Sequence, residues 1–312
     1  MSAYLHSFGA HVPERVVSND ELAARLGCAA DWIESASGIH ERRWASDDTG
    51  VVEMGAAAAR DCLSRAGVAA SEIGLLILAS GSAPPGFPAP GAALAMQLGL
   101  GSTPVIDLPM ASAGSLFGLA LASQVAEHYG NVLVVAAEKM SAVIRAHPLE
   151  RDTAILFGDG AGAALVSARP GAWRVLGAVL HSDGQFREDL IFDWTSPMKM
   201  NGLAVILQAS RKLPNVIREA LDRHGIAPAH VAAFLVHQAN QNLLARVAKG
   251  LGVPPERVFS NIARYGNTSS ASMLIAAAEW SASAGSNAGP VVFAAFGAGL
   301  HWGALVAAAE PR

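Results

Sequence analysis

Three polar residues have the types and the local settings for acyl chemistry: Ser112, His237 and Asn267. Ser112 stands in VIDLPMASAGSLFG, residues 105–118. There a short apolar run over 104–108 reads as a buried strand, and a helix follows from about residue 112 to 129. Such a turn lifts a side chain out of the backbone and aims a helix N-terminus at whatever binds there. A serine hydroxyl is a poor nucleophile at neutral pH and needs a general base within reach. His237, in His237-Gln238-Ala239-Asn240, is the candidate base. Asn267, in Tyr265-Gly266-Asn267-Thr268-Ser269, cannot take a proton, but its amide can donate to an oxyanion or an enolate. A His and an Asn aimed at one oxygen suit decarboxylation or Claisen-type carbon–carbon bond formation. Each residue taken alone also has a plainer reading: a helix N-cap for Ser112, a hydrogen-bonded core histidine for His237, a left-handed turn residue beside Gly266 for Asn267. Gly297-Ala298-Gly299 is a tight turn whose backbone N–H groups could complete an oxyanion hole, with plain turn chemistry an equal alternative.

The elements around these residues recur. Expected strands over 4–12, 73–79 and 131–137, with helices over 52–66 and 91–98, make up a first half, residues 1–168. From residue 173 the same order begins again in a second half, residues 169–312, with a strand over 173–181 and a helix over 203–224. GVAASEIGLLIL from Gly67 aligns without a gap with GIAPAHVAAFLV from Gly225. A repeat of roughly 150 residues is a domain duplication, because solenoid periods are about 20–50 residues. Ligands of α/β sheets bind beyond the carboxyl ends of strands. Ser112, His237 and Asn267 each follow a strand, near Leu108, Val236 and Phe259, so a pseudo-symmetric packing brings them to one cleft. Residues 31–43 read as polar and irregular, with Trp32 and Trp44 as surface aromatics and Arg42-Arg43 as a solvated pair.

Composition bounds the alternatives. The 312 residues are 52% hydrophobic and 15% charged, with a formal charge of −4. That mild acidity argues against nucleic-acid binding, which calls for a basic stripe, while the low charge suits close helix–sheet packing and an oligomer interface. The N-terminus lacks the pattern of a signal peptide, and Cys28 and Cys62 read as reduced and structural, which together point to a cytoplasmic protein. The apolar stretch 290–309 reads as two strands, not a membrane span. Met110-Ala111-Ser112-Ala113-Gly114 lacks the first glycine of a hydrolase elbow. Phe157-Gly158-Asp159-Gly160-Ala161-Gly162 precedes a strand where a dinucleotide fingerprint precedes a helix. No Walker motif or metal-ligand spacing occurs, so neither a metal nor a cofactor is expected.

Almost end to end, the chain resembles the β-ketoacyl-acyl carrier protein synthase III family of thiolase-fold condensing enzymes. The resemblance is carried by Trp32-Ile33 with Ser37-Gly38-Ile39, Ile106-Asp107-Leu108, Ala137-Glu138-Lys139, the 157–162 motif, the 237–240 motif, Gly266-Asn267-Thr268-Ser269, and Phe296-Gly297-Ala298-Gly299 with Trp302-Gly303. It implies an α/β, thiolase-like fold of two duplicated halves in five layers, α-β-α-β-α. It also implies a homodimeric acyltransferase of fatty acid or polyketide biosynthesis, condensing a short acyl-CoA starter with a malonyl thioester. The family's catalytic Cys, His and Asn fall on Ser112, His237 and Asn267, and its oxyanion hole on Ser112 and Ala298. Substrate-binding positions fall on Trp32, Phe87, Arg151, Phe157, Gly202, Asn240, Arg246 and Lys249. Of these, Trp32 and Arg151 clamp the adenine, and Phe87 reaches across the dimer to close the acyl pocket. Ala36 and Asn242 stand where the family often has Arg, which leaves the carrier, CoA or acyl carrier protein, open. Serine at position 112 departs from the family pattern: a helix N-terminus brings a thiol into the thiolate range, but not a hydroxyl. A designed Cys→Ser replacement and a natural serine branch both fit. Two other functions stay open beside condensation: ping-pong transfer from acyl-Ser112 to an alcohol or amine, and a non-catalytic acyl-binding partner of an active homologue.

Overall fold

Successive residues of the inner strands face different cores. In β2 (Ile73–Ala79), Leu75 and Ile77 join one cluster of buried side chains, and Leu76 and Leu78 join another. A strand buried on both faces reads as a continuous apolar run, because parallel sheets are covered by helices on each side. The computed structural model describes residues 2–283 and 289–310. With β1 (Tyr4–His11), β3 (Val105–Leu108), β4 (Asn131–Lys139), β5 (Asp159–Ser167), β6 (Trp173–Ser182), β7 (Ala233–Val236), β8 (Val291–Gly297) and β9 (His301–Ala309), β2 builds a nine-stranded sheet in the order β7-β8-β9-β6-β1-β5-β4-β2-β3. The order is the same read outward from the centre on either side, with β6, β7, β8 and β9 in the places of β1, β2, β4 and β5. A counterpart of β3 is reduced to a single bridge, Phe234 to Val258, so the strand expected near Phe259 does not form. The two sides meet antiparallel along a short seam, Tyr4 opposite Arg174 and Leu5 opposite Trp173, which Val175 N–H extends by donating to Ala3 O at 2.8 Å.

The helices sort into three layers. On the outside of one side lie α1 (Val51–Ala66) and α2 (Pro90–Leu98), where Met54, Cys62 and Leu94 meet Leu76, Leu133 and Val135. Between the sides lie α3 (Gly114–Tyr129) and, later in the chain, α6 (Ser272–Ala282). Leu116, Leu119, Met273 and Leu274 of these helices share one core with Ile77 and Val134 of one side and Leu235 and Phe293 of the other. On the far outside lie α4 (Gly202–Asp222) and α5 (Gln241–Leu251), whose Leu213, Ile217 and Val247 cover Phe234 and Val292. The result is the thiolase-like five-layer arrangement. No helix among the described residues is long and apolar enough to cross a membrane.

Several local expectations are corrected. The run before Ser112 forms the edge strand β3, and Ile106 is exposed, because the sheet ends there within one chain. Residues 30–37, expected to be irregular, form a helix closed by Gly38 at φ 71°. Trp44 is buried, not a surface aromatic, since the guanidiniums of Arg15, Arg25 and Arg145 lie 5.6–5.8 Å from its ring centroid. Arg42 is fully buried, and its amino groups donate to Val17 O, Asn19 Oδ1 and Ile155 O. Burial lowers its pKa to about 10, with Glu21 and Glu41 opposing the shift. Replacing Arg42 with Ala is expected to cost roughly 3 kcal/mol of stability, since it strands those acceptors in the interior; urea unfolding monitored by circular dichroism measures it.

Candidate active site

Ser112 follows the end of β3 in a tight turn, with its backbone at φ 62°. A left-handed non-glycine residue is uncommon and is found where surroundings hold it. Here β8 does so: any side chain at Gly297 would overlap the Ala111 carbonyl oxygen and the Ala113 N–H, on either side of Ser112. The N-cap reading of Ser112 is ruled out, because Ala113 occupies the cap of α3 with no side-chain hydrogen bond. Only 8% of Ser112 is exposed. Its N–H donates to Ser269 Oγ at 2.9 Å, so this expected oxyanion donor is engaged before any substrate arrives. Ser112 lines two cavities, one shared with His237 and Asn267, the other with Ala298.

His237 directly follows β7 and is 4% exposed. Its Nδ1 lies 2.6 Å from Ser272 Oγ, which also accepts the Gln238 N–H at 3.0 Å. This anchor leaves Nε2 as the nitrogen available to a ligand. Burial lowers the His237 pKa to about 4, against a smaller opposing hydrogen bond with the Ser269 backbone, so the imidazole is neutral at pH 7. That burial has a cost in acid. The unfolded histidine takes up its proton near 6.5 and the folded one only near 4. Stability from this group is therefore complete above about pH 6.5 and is lost as pH falls toward 4, by roughly 3 kcal/mol in all. Unfolding free energies between pH 7 and 4 should fall less steeply in a His237→Gln variant.

Asn267 is brought in by backbone pairing between distant segments. Its N–H donates to Leu156 O at 2.8 Å and its carbonyl accepts from Gly158 N at 3.1 Å. Gly266, at φ 66°, makes this approach possible, since a Cβ there would lie 2.8 Å from Leu156 O. The side chain accepts from Ser269 N–H at 2.9 Å and its Nδ2 lies 3.4 Å from Ala239 O. That amide contact is long and leaves donor capacity toward the cavity. Phe157 walls both cavities and is fixed by Trp44, whose Nε1 donates to its carbonyl at 3.2 Å.

Sequence reasoning missed the group behind this arrangement. Glu138 is fully buried and accepts from Ser82 Oγ at 2.5 Å, Ser82 N at 2.9 Å, Gly81 N at 3.1 Å and Ser270 Oγ at 2.6 Å. It joins the loop after β2 to the turn that carries Asn267 and Ser269. Its only sequence signal was its place in Ala137-Glu138-Lys139, which says nothing of partners 132 residues away. Asp159 of the 157–162 motif is likewise structural, accepting from Ala45 N, Ser141 N and Ser141 Oγ at 2.6–2.8 Å.

The remaining residues fall in three places. Gly202 and Asn240 line the cavity of His237 and Asn267. Asn240 also caps α5 and donates to Ala36 O at 2.9 Å. Trp32 and Arg151 stack on each other, guanidinium to ring centroid 4.8 Å. Arg246 and Lys249 are exposed on α5 and line neither cavity. Phe87 is 99% exposed and also lines neither. Among the described residues, no group of three His, Cys, Asp or Glu could hold a metal ion.

Comparison with known proteins gives this geometry a family. Residues 106–184 match 3-oxoacyl-[acyl-carrier-protein] synthase III, and residues 221–308 match its C-terminal region. A β-ketoacyl-[acyl-carrier-protein] synthase III of Gloeobacter violaceus is 38% identical, over 96% of this chain and 96% of that one. The chain belongs to the β-ketoacyl-[acyl-carrier-protein] synthase III family. It is thus an acyltransferase-type condensing enzyme. Solved synthase III structures agree: the one from Aquifex aeolicus superposes with a TM-score of 0.93 at 32% identity, over 98% of this chain and 99% of that one. The one from Pseudomonas aeruginosa gives 0.92 at 34% identity, over 100% and 99%.

Proposed function

We propose that this synthase III relative condenses a short acyl-CoA starter with a malonyl thioester through an ester on Ser112. The observation that carries the reading is the convergence of Ser112, His237 and Asn267 on one cavity wall. In the first step Ser112 Oγ attacks the thioester carbonyl, the C–S bond breaks, and the hydroxyl proton passes through His237 Nε2 to the departing thiolate. In the second, the malonyl C–C bond to the carboxylate breaks and CO2 leaves. The electron pair moves into an enolate whose oxygen takes hydrogen bonds from His237 Nε2–H and Asn267 Nδ2–H. The enolate carbon then attacks the acyl-serine carbonyl, the C–O bond to Ser112 breaks, and the serine alkoxide takes up a proton from solvent, the one proton that the condensation consumes. The first step needs Nε2 as an acceptor and the second needs it as a donor. Ser272 serves both tautomers, because a hydroxyl can accept from Nδ1–H or donate to Nδ1. Ala298, beside Ser112, supplies a backbone donor for the tetrahedral oxyanion. Neither a metal nor a cofactor takes part, and CoA or acyl carrier protein thioesters are the substrates. Trp32 and Arg151 hold the adenine end of CoA; Trp32→Ala is expected to raise KM for acyl-CoA about tenfold with little change in kcat, read in a steady-state assay.

Phe87 supports a homodimer, since a fully exposed phenylalanine on a loop suits a pocket in a partner subunit. Equilibrium sedimentation tests this: a dimer is expected, and a monomer at micromolar concentration overturns it.

Ser112 itself favours a second reading, transfer to an alcohol or amine. An oxygen ester suits O- or N-acceptors better than a carbanion. Intact-mass analysis separates the two. Discharge of acyl-Ser112 by malonyl thioester supports condensation, and discharge only by alcohols or amines supports transfer.

A further inference from the structure

The two cavities that meet at Ser112 differ in their chemistry. The first runs between α4 and α5, and Val205, Ile206, Leu213 and Leu243 make its walls apolar. Asn240 ties this side to the helix that carries Trp32, and under the proposed function the thioester arm enters here. The second cavity is left for the acyl group. Met110 and Phe192 line it, but so do Arg187 and His301, from which a hydrocarbon chain gains nothing.

The chain path brings the segments that carry these two residues to one end of the cavity. His301 is paired with Ser182 in the β6–β9 ladder. Leu300 and Asp183 exchange backbone hydrogen bonds of 2.9 and 3.2 Å. The short 3-10 segment Gly184–Asp189, which holds Arg187, starts directly after. The His301 ring is fixed: Nδ1 lies 2.7 Å from Ser182 Oγ, and the ring stands edge-on to Phe117 with centroids 5.7 Å apart. Partial burial lowers its pKa, so at pH 7 it is a neutral hydrogen-bonding group. The Arg187 side chain is 72% exposed, so it lines the cavity from its solvent side, and its Nε lies 3.1 Å from Glu188 Oε1. An Arg fork matches the planar geometry of a carboxylate.

We propose that the acyl group loaded by this chain is a short one ending in a carboxylate, held by Arg187 and His301 in the second cavity. The proposal rests on the reading of Ser112 as the acylated residue. It makes Arg187 the residue that sets acyl preference, because a terminal carboxylate can pair with its guanidinium and an apolar chain end cannot.

Succinyl-CoA and butyryl-CoA have the same number of acyl carbons and differ in the terminal carboxylate. Acylation of the full chain, followed by intact mass at subsaturating thioester, is expected to run about tenfold faster with succinyl-CoA, a difference of ~1.4 kcal/mol. In Arg187→Ala the succinyl rate is expected to fall to the butyryl rate, with the butyryl rate unchanged. In His301→Phe the preference is expected to narrow in the same sense. Equal rates in the unmodified chain, or faster butyryl loading, overturn the proposal, as does an Arg187→Ala variant that slows both thioesters alike. Should neither thioester acylate the protein, the Ser112 reading fails, and equilibrium binding decides the pocket. Tighter succinyl-CoA binding that is lost in Arg187→Ala upholds it, and equal binding of the two thioesters overturns it.

Discussion

Removing the imidazole in His237→Ala, or the amide in Asn267→Ala, is expected to slow malonyl-thioester decarboxylation by about 10²–10³-fold. That is the usual loss when one preorganised donor to a developing oxyanion is deleted. CO2 release from malonyl thioester measures it directly. The reason for so large an effect lies in the surroundings. His237 is buried and kept neutral, with its pKa lowered to about 4, and Asn267 is 6% exposed. Donors in such a place act with little solvent screening and no reorganisation. The two losses are expected to be non-additive, since both donors serve one oxygen. The Asn267 variant should retain acylation of Ser112, because an amide takes no part in removing the serine proton. A variant pair that releases CO2 at the unmodified rate would sink the enolate reading.

Ser112→Cys is expected to raise carbon–carbon bond formation by about 10²-fold, some 2.7 kcal/mol of barrier, while Ser112→Ala is expected to abolish the covalent adduct. A thiol preceding the N-terminus of α3 gains thiolate character that a hydroxyl does not, and the resulting thioester is the better acyl donor to a carbanion. Decarboxylation of malonyl thioester should persist in both variants, since it uses His237 and Asn267 alone. Product formation and CO2 release measured in parallel separate the two half-reactions. Unchanged product formation in Ser112→Cys would show that acyl transfer from the residue at 112 does not limit the reaction.

Much of this was legible in the chain, and what was not has identifiable causes. The duplication survives as an order of apolar runs, so the two-sided sheet and the strand ends at Leu108 and Val236 follow from pattern, while the five layers followed only from the family resemblance. Individual faces do not, because a strand such as 73–79 is buried on both sides and shows no alternation. Arg42 and Trp44 looked like surface residues for a related reason. The groups that bury them, Ile155 O for one and Arg145 for the other, lie about a hundred residues away. The helix over 30–37 starts at Ala29 without a capping side chain, so its usual signal is missing. Ser112, His237 and Asn267, which line one cavity, could be named as candidates from their types and settings. Glu138, Ser269 and Ser272 could not, because a serine or glutamate that matters only through a distant partner has no signature of its own.

The narrow seam between the two sides of the sheet carries a further meaning. So short a seam joins the two sides over only a few residues. What keeps the halves in register is the layer they share, α3 and α6, which packs against both at once. Severing the chain between β5 and β6 would leave each fragment with one of the two helices and an uncovered apolar sheet face. Each half is therefore completed by the other: the fold needs both helices of the shared layer before either sheet face is covered.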